Sequence, residues 1–146
     1  MTVAPGGGEG AADFETILYA VADEVATITL NRPDSLNTIV PPMPEEVEAA
    51  VGRAVADAAV KVIVLRGAGR SFCAGYDFGG GFHHWDEQMN SDGEWDPGKD
   101  FVFSTAPALA PTQKLMSVWR SPKPVIARCT AGASAAAATS RSAPTW

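Results

Sequence analysis

K-V-I-V-L-R-G-A-G-R-S-F-C-A-G-Y-D-F, Lys61 to Phe78, is the stretch on which the fold turns. Val62, Ile63, Val64 and Leu65 form a short apolar run rich in β-branched residues. Such a run predicts a strand buried on both faces. Gly67 and Gly69 then interrupt it, since glycine reaches backbone angles that other residues avoid. The next segment, Phe72-Cys73-Ala74-Gly75, is mostly small. A buried strand, a glycine turn and a small-residue loop can bring backbone N–H groups up to a ligand. The same pattern also describes a plain buried strand ending in a tight turn.

Working outward toward the amino terminus, Ile17 to Ala20 and Val25 to Leu30 read as two strands. Asp23-Glu24 supplies a polar turn between them, which predicts a hairpin. Pro33 ends the second strand because it has no N–H for a ladder. Pro41, Pro42 and Pro44 punctuate the entry to a helix. Pro44 suits its first turn, and Glu45 and Glu46 complement the positive end of its dipole. Val47, Ala50, Val51, Ala54, Val55 and Ala58 recur at helical spacing, so this stripe predicts core packing. Glu48, Arg53 and Asp57 fall on other faces.

Toward the carboxyl terminus, Gly79-Gly80-Gly81 follow the central motif. His83, His84 and Trp85 form a polar loop; adjacent histidines diverge, and no third ligand is spaced to join them in a metal site. Asn90 to Asp100 is acidic and holds Gly93, Pro97 and Gly98, so it reads as a mobile loop or lid. Thr112 to Arg120 reads as a helix with Leu115, Met116 and Trp119 inward. Pro122 to Arg128 reads as a further buried strand. The order strand, strand, helix, strand, loop, helix, strand predicts an α/β chain.

The chain has 146 residues, room for one domain, and 46% of them are hydrophobic, enough to fill a core. A net charge of −6 argues against a nucleic-acid surface. No stretch approaches the length of a membrane span, and the amino terminus lacks a basic-then-apolar signal, so the cytoplasm is the expected location. Cys73 and Cys129 make neither a disulfide framework nor a metal spacing. Cys73 reads as a small packing residue, because a reactive thiolate needs a nearby base that the sequence does not supply.

G-A-G-R-S-F-C-A-G-Y-D-F resembles the first signature of the enoyl-CoA hydratase/isomerase (crotonase) family. Asn31-Arg32-Pro33 with Leu36-Asn37 resembles the motif that precedes it. The intervening helix and Pro122-Lys123-Pro124-Val125-Ile126-Ala127 also match, so the resemblance runs from about Phe14 to Arg128. It implies a crotonase-like β-β-α superhelix, incomplete, with only the earlier turns present. Residues 1–12 would be a flexible tail, 13–128 the amino-terminal part of the domain and 129–146 an aberrant alanine-rich tail.

The resemblance also implies an activity on acyl-CoA thioesters through an enolate, whose growing negative charge needs preorganised donors. The backbone N–H of Tyr76 would be the first donor. Asp34, Ser35 and Leu36 would line the path of coenzyme A. Ala74, Asp77 and Phe78 would contact coenzyme A or the acyl chain. Coenzyme A would be part of the substrate, no further cofactor or metal is implied, and full-length family members would form trimer-based homo-oligomers.

The departure lies after Arg128. The family continues with a segment like H-G-x-x-x-G-G-G, one of whose glycines supplies the second oxyanion donor. Here Cys129-Thr130-Ala131-Gly132-Ala133-Ser134 is followed by four alanines and then Thr139 to Trp146. Codons legal for every residue from 129 to 146 can be chosen so that a one-base shift reads out that missing segment in place. A one-nucleotide frameshift after Arg128 is the expectation, and with it a chain that is inactive as encoded. Two other readings stand beside it. One is a non-catalytic chain that binds acyl-CoA or a subunit. The other is a dinucleotide site at Gly67-x-Gly69, weakened because Phe72 stands where the later glycine of G-x-G-x-x-G belongs.

Overall fold

The computed structural model describes residues 14–77, 79, 96–106 and 110–129. Strands β1 (Ile17–Ala22) and β2 (Val25–Leu30) pair antiparallel, from Ile17 against Leu30 to Ala22 against Val25. Asp23 and Glu24 alone make the turn, with φ of 50° and 64°. Positive φ at both positions matches the right-handed twist of a two-residue hairpin. A turn this tight lets β1 run to Ala22, two residues past its expected end at Ala20.

Helix α1 (Met43–Ala56) then crosses over, and β3 (Val62–Gly67) lies parallel to β2. Strand β4 (Val125–Arg128) adds in parallel beside β3, giving the sheet order β1-β2-β3-β4. Parallel neighbours need such a crossover, and a helix supplies it.

Helix α1 forms where the prolines and acids place it. Pro44 occupies the first turn, and Glu45 and Glu46 follow. Glu46 does more than oppose the dipole. Its carboxylate accepts from the Thr16 amide at 2.8 Å, from the Thr16 hydroxyl and from the Glu15 amide, pinning the chain at the start of β1. The apolar stripe buries Met43, Pro44, Val47, Ala50, Val51 and Ala54. Ala58 lies beyond the helix end and is exposed, so the stripe is one turn shorter than expected. At that end Lys123 Nζ donates to the carbonyls of Ala54 at 2.7 Å and Asp57 at 2.6 Å, which satisfies acceptors the helix leaves open.

The core is one layer of sheet against α1. Ile17, Ala26, Ile28, Leu30, Ile63 and Leu65 meet Met43, Val47, Ala50, Val51 and Ala54, and Ile39, Val60, Phe72 and Cys73 join the same cluster. The expectation of strands buried on both faces is corrected here. In β3 only Ile63 and Leu65 are buried; Val62, Val64 and Gly67 are half-buried and Arg66 is exposed. β4 alternates in the same way, and Ile126 is 56% exposed. The face away from α1 also carries Leu18, 52% exposed. An apolar run reads alike whether one face or two is covered, and among the described residues α1 covers only one.

Helix α2 (Pro97–Thr105) replaces the end of the expected acidic loop. Asp96 caps it, accepting from the amides of Gly98 at 2.6 Å and Lys99 at 3.0 Å, with Pro97 in the first turn. The earlier part of that loop, His83, His84 and Trp85, and the tails 1–12 and 130–146 lie outside the described residues. The single helix expected over Thr112–Arg120 is two short ones, α3 (Pro111–Leu115) and α4 (Ser117–Arg120). The break at Met116 shifts the phase. Leu115 and Val118 pack against the core, while Trp119 is 60% exposed and not inward.

Candidate functional site

The site is built from the two loops that leave β2 and β3 at the same end of the sheet. After β2, Pro33–Ser35 make a single 3-10 turn. Leu36 and Asn37 follow with φ of 53° and 55°. Two left-handed residues in a row reverse the chain, and Asn tolerates that region better than most side chains. The reversal delivers Asn37 into the core with no exposed surface. Its Oδ1 accepts from the Arg32 amide at 2.9 Å. Its Nδ2 donates to the carbonyls of Ala68 at 2.9 Å and Ser71 at 2.8 Å. One buried carboxamide therefore joins the Asn31–Asn37 loop to the glycine turn after β3.

The glycine turn is tight enough that side chains are excluded. A Cβ on Gly67 would stand 2.3 Å from the Ser71 carbonyl oxygen and 2.4 Å from that of Phe72. Gly69 has a φ of 71°, and a Cβ there would meet Pro33 at 3.0 Å. Phe72 and Cys73 are buried beyond the turn. Burial pushes the Cys73 thiol up, although the Gly75 N–H donates to its sulfur at 3.4 Å. The thiol stays neutral, as a packing residue should.

The loop then runs beside the first one. The Ala74 amide donates to the Leu36 carbonyl at 3.1 Å. Ile39 and Tyr76 form a short parallel bridge, in which the Ile39 amide donates to Gly75 at 2.8 Å and the Asp77 amide donates to Ile39 at 3.0 Å. In that pattern Ile39 serves both neighbours of Tyr76. The N–H and C=O of Tyr76 itself are directed to the other side of its strand. The Tyr76 hydroxyl lies 3.4 Å from Thr112 Oγ1.

Asp77 locks the end of the bridge. Its carboxylate accepts from Arg32 Nη1 at 3.1 Å, from Thr38 Oγ1 at 3.0 Å and from the Gly79 amide at 3.1 Å. Arg32 Nη1 also donates to the Thr38 carbonyl at 2.8 Å. The Gly79 N–H first, then Thr38 and Arg32, hold the Asp77 carboxyl below its ordinary value of 3.8.

The sequence-predicted site residues thus fall on two adjoining loops. Asp34 and Ser35 are exposed on the 3-10 turn, Leu36 is half-buried, and Ala74 is exposed next to it. Tyr76 and Asp77 are half-buried at the bridge, and Phe78 lies outside the described residues. Arg32 and Thr38 were not among those candidates. Nothing in the sequence pairs Arg32 with a carboxylate 45 positions away. Among the described residues no group of three or more His, Cys, Asp or Glu could hold a metal ion, and no helix is long and apolar enough to cross a membrane.

The sequence model of the family described as enoyl-CoA hydratase/isomerase matches residues 21–139. This chain belongs to the enoyl-CoA hydratase/isomerase family. The match passes Arg128 and enters the alanine-rich segment. The 1,2-epoxyphenylacetyl-CoA isomerase of Escherichia coli (strain K12) is 32% identical over 126 residues, covering 86% of this chain and 44% of that protein. The trans-2-decenoyl-[acyl-carrier-protein] isomerase of Streptococcus mutans is 40% identical over 65 residues, 44% of this chain and 25% of that one. The crystal structure of an enoyl-CoA hydratase from Mycobacterium smegmatis superposes with a TM-score of 0.63 at 33% identity, covering 79% of this chain and 40% of its own. In each comparison the chain spans less than half of its relative. The expected α/β architecture, an incomplete crotonase fold, agrees with that superposition. Within the enoyl-CoA hydratase/isomerase family the two named isomerases carry different substrates in their names, so membership alone leaves the acyl group open.

Proposed function

We propose that this chain is built to bind an acyl-CoA thioester and to place the Tyr76 backbone N–H against its thioester oxygen. One observation supports this above the rest: the bridge to Ile39 holds the chain on both sides of Tyr76 and so fixes the Tyr76 peptide in place. A donor held in place before charge develops needs no reorganisation when an enolate forms. Asp34, Ser35 and Leu36 on one loop and Ala74, Asp77 and Phe78 on the other are the substrate-contacting residues of this reading.

Turnover by the chain as written is negligible in this reading. The segment after Arg128 lacks the glycine-rich H-G-x-x-x-G-G-G run that would bring a second donor. An absent oxyanion donor costs about 2.7–4 kcal/mol, roughly 10²–10³ in rate.

The test measures binding and turnover separately. The purified chain is titrated with a short acyl-CoA, then assayed for hydration of the matching enoyl-CoA. Binding without turnover is expected. Tyr76→Phe should bind as well as the parent, and Tyr76→Pro, which removes the N–H, should bind at least tenfold more weakly. Restoring one base after codon 128 should recover turnover. Family-level turnover by the unrepaired chain would overturn the reading and point to a carboxylate such as Asp86 or Glu87 as the proton-transfer group.

A further inference from the structure

On the face of the sheet away from α1, a cleft of about 180 Å³ opens beside the carboxyl ends of β3 and β4. The described residues that line it are Arg66, Gly67, Ala68, Gly69 and Arg128. Arg66 and Arg128 are register partners on neighbouring parallel strands. Directly opposed side chains share a face, so two guanidinium groups are anchored about 4.8 Å apart at their backbones. Like charges placed so are destabilising on their own.

Among the described residues no carboxylate relieves that repulsion. Arg66 Nε donates to the buried Thr29 hydroxyl at 3.0 Å, which orients its fork but carries no charge. Among the described residues neither arginine is in a salt bridge, whereas Arg32 faces Asp77. Among the described residues no acid lines the cleft, although the chain has 17 acidic residues against 11 basic ones.

We infer that this cleft binds a phosphate-class oxyanion. Guanidinium forks match tetrahedral oxyanions with paired N–H donors, and two of them can neutralise a dianion between them. The site stands apart from the Tyr76 loop: Arg66 points to the open face, while Gly67 next to it packs toward Asn37. The inference therefore does not rest on the acyl-CoA reading.

Calorimetric titration of the full chain with inorganic phosphate tests it. The parent should bind phosphate, more weakly as sodium chloride is raised. Arg66→Met and Arg128→Met should each weaken binding at least tenfold, Arg66→Lys less so, and Arg120→Met not at all. The Arg128 side chain is exposed and makes no hydrogen bond to a described residue, so its variant keeps the strand pairing and the test intact. Equal binding by parent and both methionine variants, or none by any, would overturn the inference. A second titration in saturating coenzyme A distinguishes the source: competition assigns the phosphate to the coenzyme, and undiminished binding assigns it to a separate ligand.

Discussion

Asn37 Nδ2 donates to the Ser71 carbonyl at 2.8 Å, across 34 residues of chain, with the Asn37 side chain fully buried. The bond closes the loop after β2 onto the loop after β3. The position of Tyr76 depends on it, because Tyr76 follows Ser71 by five residues and pairs with Ile39, two residues past Asn37.

Asn37→Ala should cost about 3 kcal/mol or more. It removes three hydrogen bonds and leaves the Arg32 amide and the Ala68 and Ser71 carbonyls without this partner at a buried position. Asn37→Asp should be at least as damaging, since an acceptor-only carboxylate would then face two carbonyl oxygens. Denaturant midpoints of the two variants check this; a loss below about 1 kcal/mol in both would mean the loops are held elsewhere.

Gly67→Ala should destabilise by about 3 kcal/mol. The added Cβ meets backbone oxygens at 2.3 Å and 2.4 Å, and backbone cannot rotate out of the way as a side-chain tip can. Gly52, whose Cβ would meet nothing within 4 Å on the exposed face of α1, is the control. Gly52→Ala should stabilise slightly, by about 0.5–1 kcal/mol, because alanine favours helix. Comparing the two thermal midpoints separates steric from intrinsic effects.

Asp77 makes a pH prediction. Its carboxyl is depressed in the folded protein, so the unfolded chain binds more protons as the pH falls toward and below 3.8. Stability from Asp77 is then fully present above its ordinary value and lost as pH drops through the folded one. Asp77→Asn should be less stable than the parent at neutral pH, and the gap should narrow below about pH 4. A gap that stays constant from pH 7 to pH 3 would show that the Arg32 and Thr38 contacts contribute nothing through charge.

Lys123→Met should cost about 1 kcal/mol while leaving the aliphatic stem in place. The loss is of two hydrogen bonds to carbonyls at the end of α1, where a cation also opposes the helix dipole. The effect should shrink little in high salt, because the contacts at 2.6 Å and 2.7 Å are direct. Amide exchange in the last turn of α1 should rise in this variant.

Local chemistry settled much of this fold from the sequence alone. Asp23-Glu24 between two apolar runs specifies a hairpin. Pro44, two acids and a 3.6-residue stripe specify α1. A β-branched run ending in Gly67-Ala68-Gly69 specifies a strand and a turn. Each is a decision that residues near in sequence make together, through backbone freedom and the period of apolar side chains. The candidates Asp34, Ser35, Leu36, Ala74, Tyr76, Asp77 and Phe78 came from the family resemblance and not from local chemistry. Only the tertiary structure decided which face of β3 is covered, that Arg32 reaches Asp77 and Thr38, that Glu46 holds the start of β1, and that Arg66 and Arg128 stand side by side. Those outcomes depend on which distant segments the sheet and the packing of α1 bring together, and no short stretch of residues specifies that by itself.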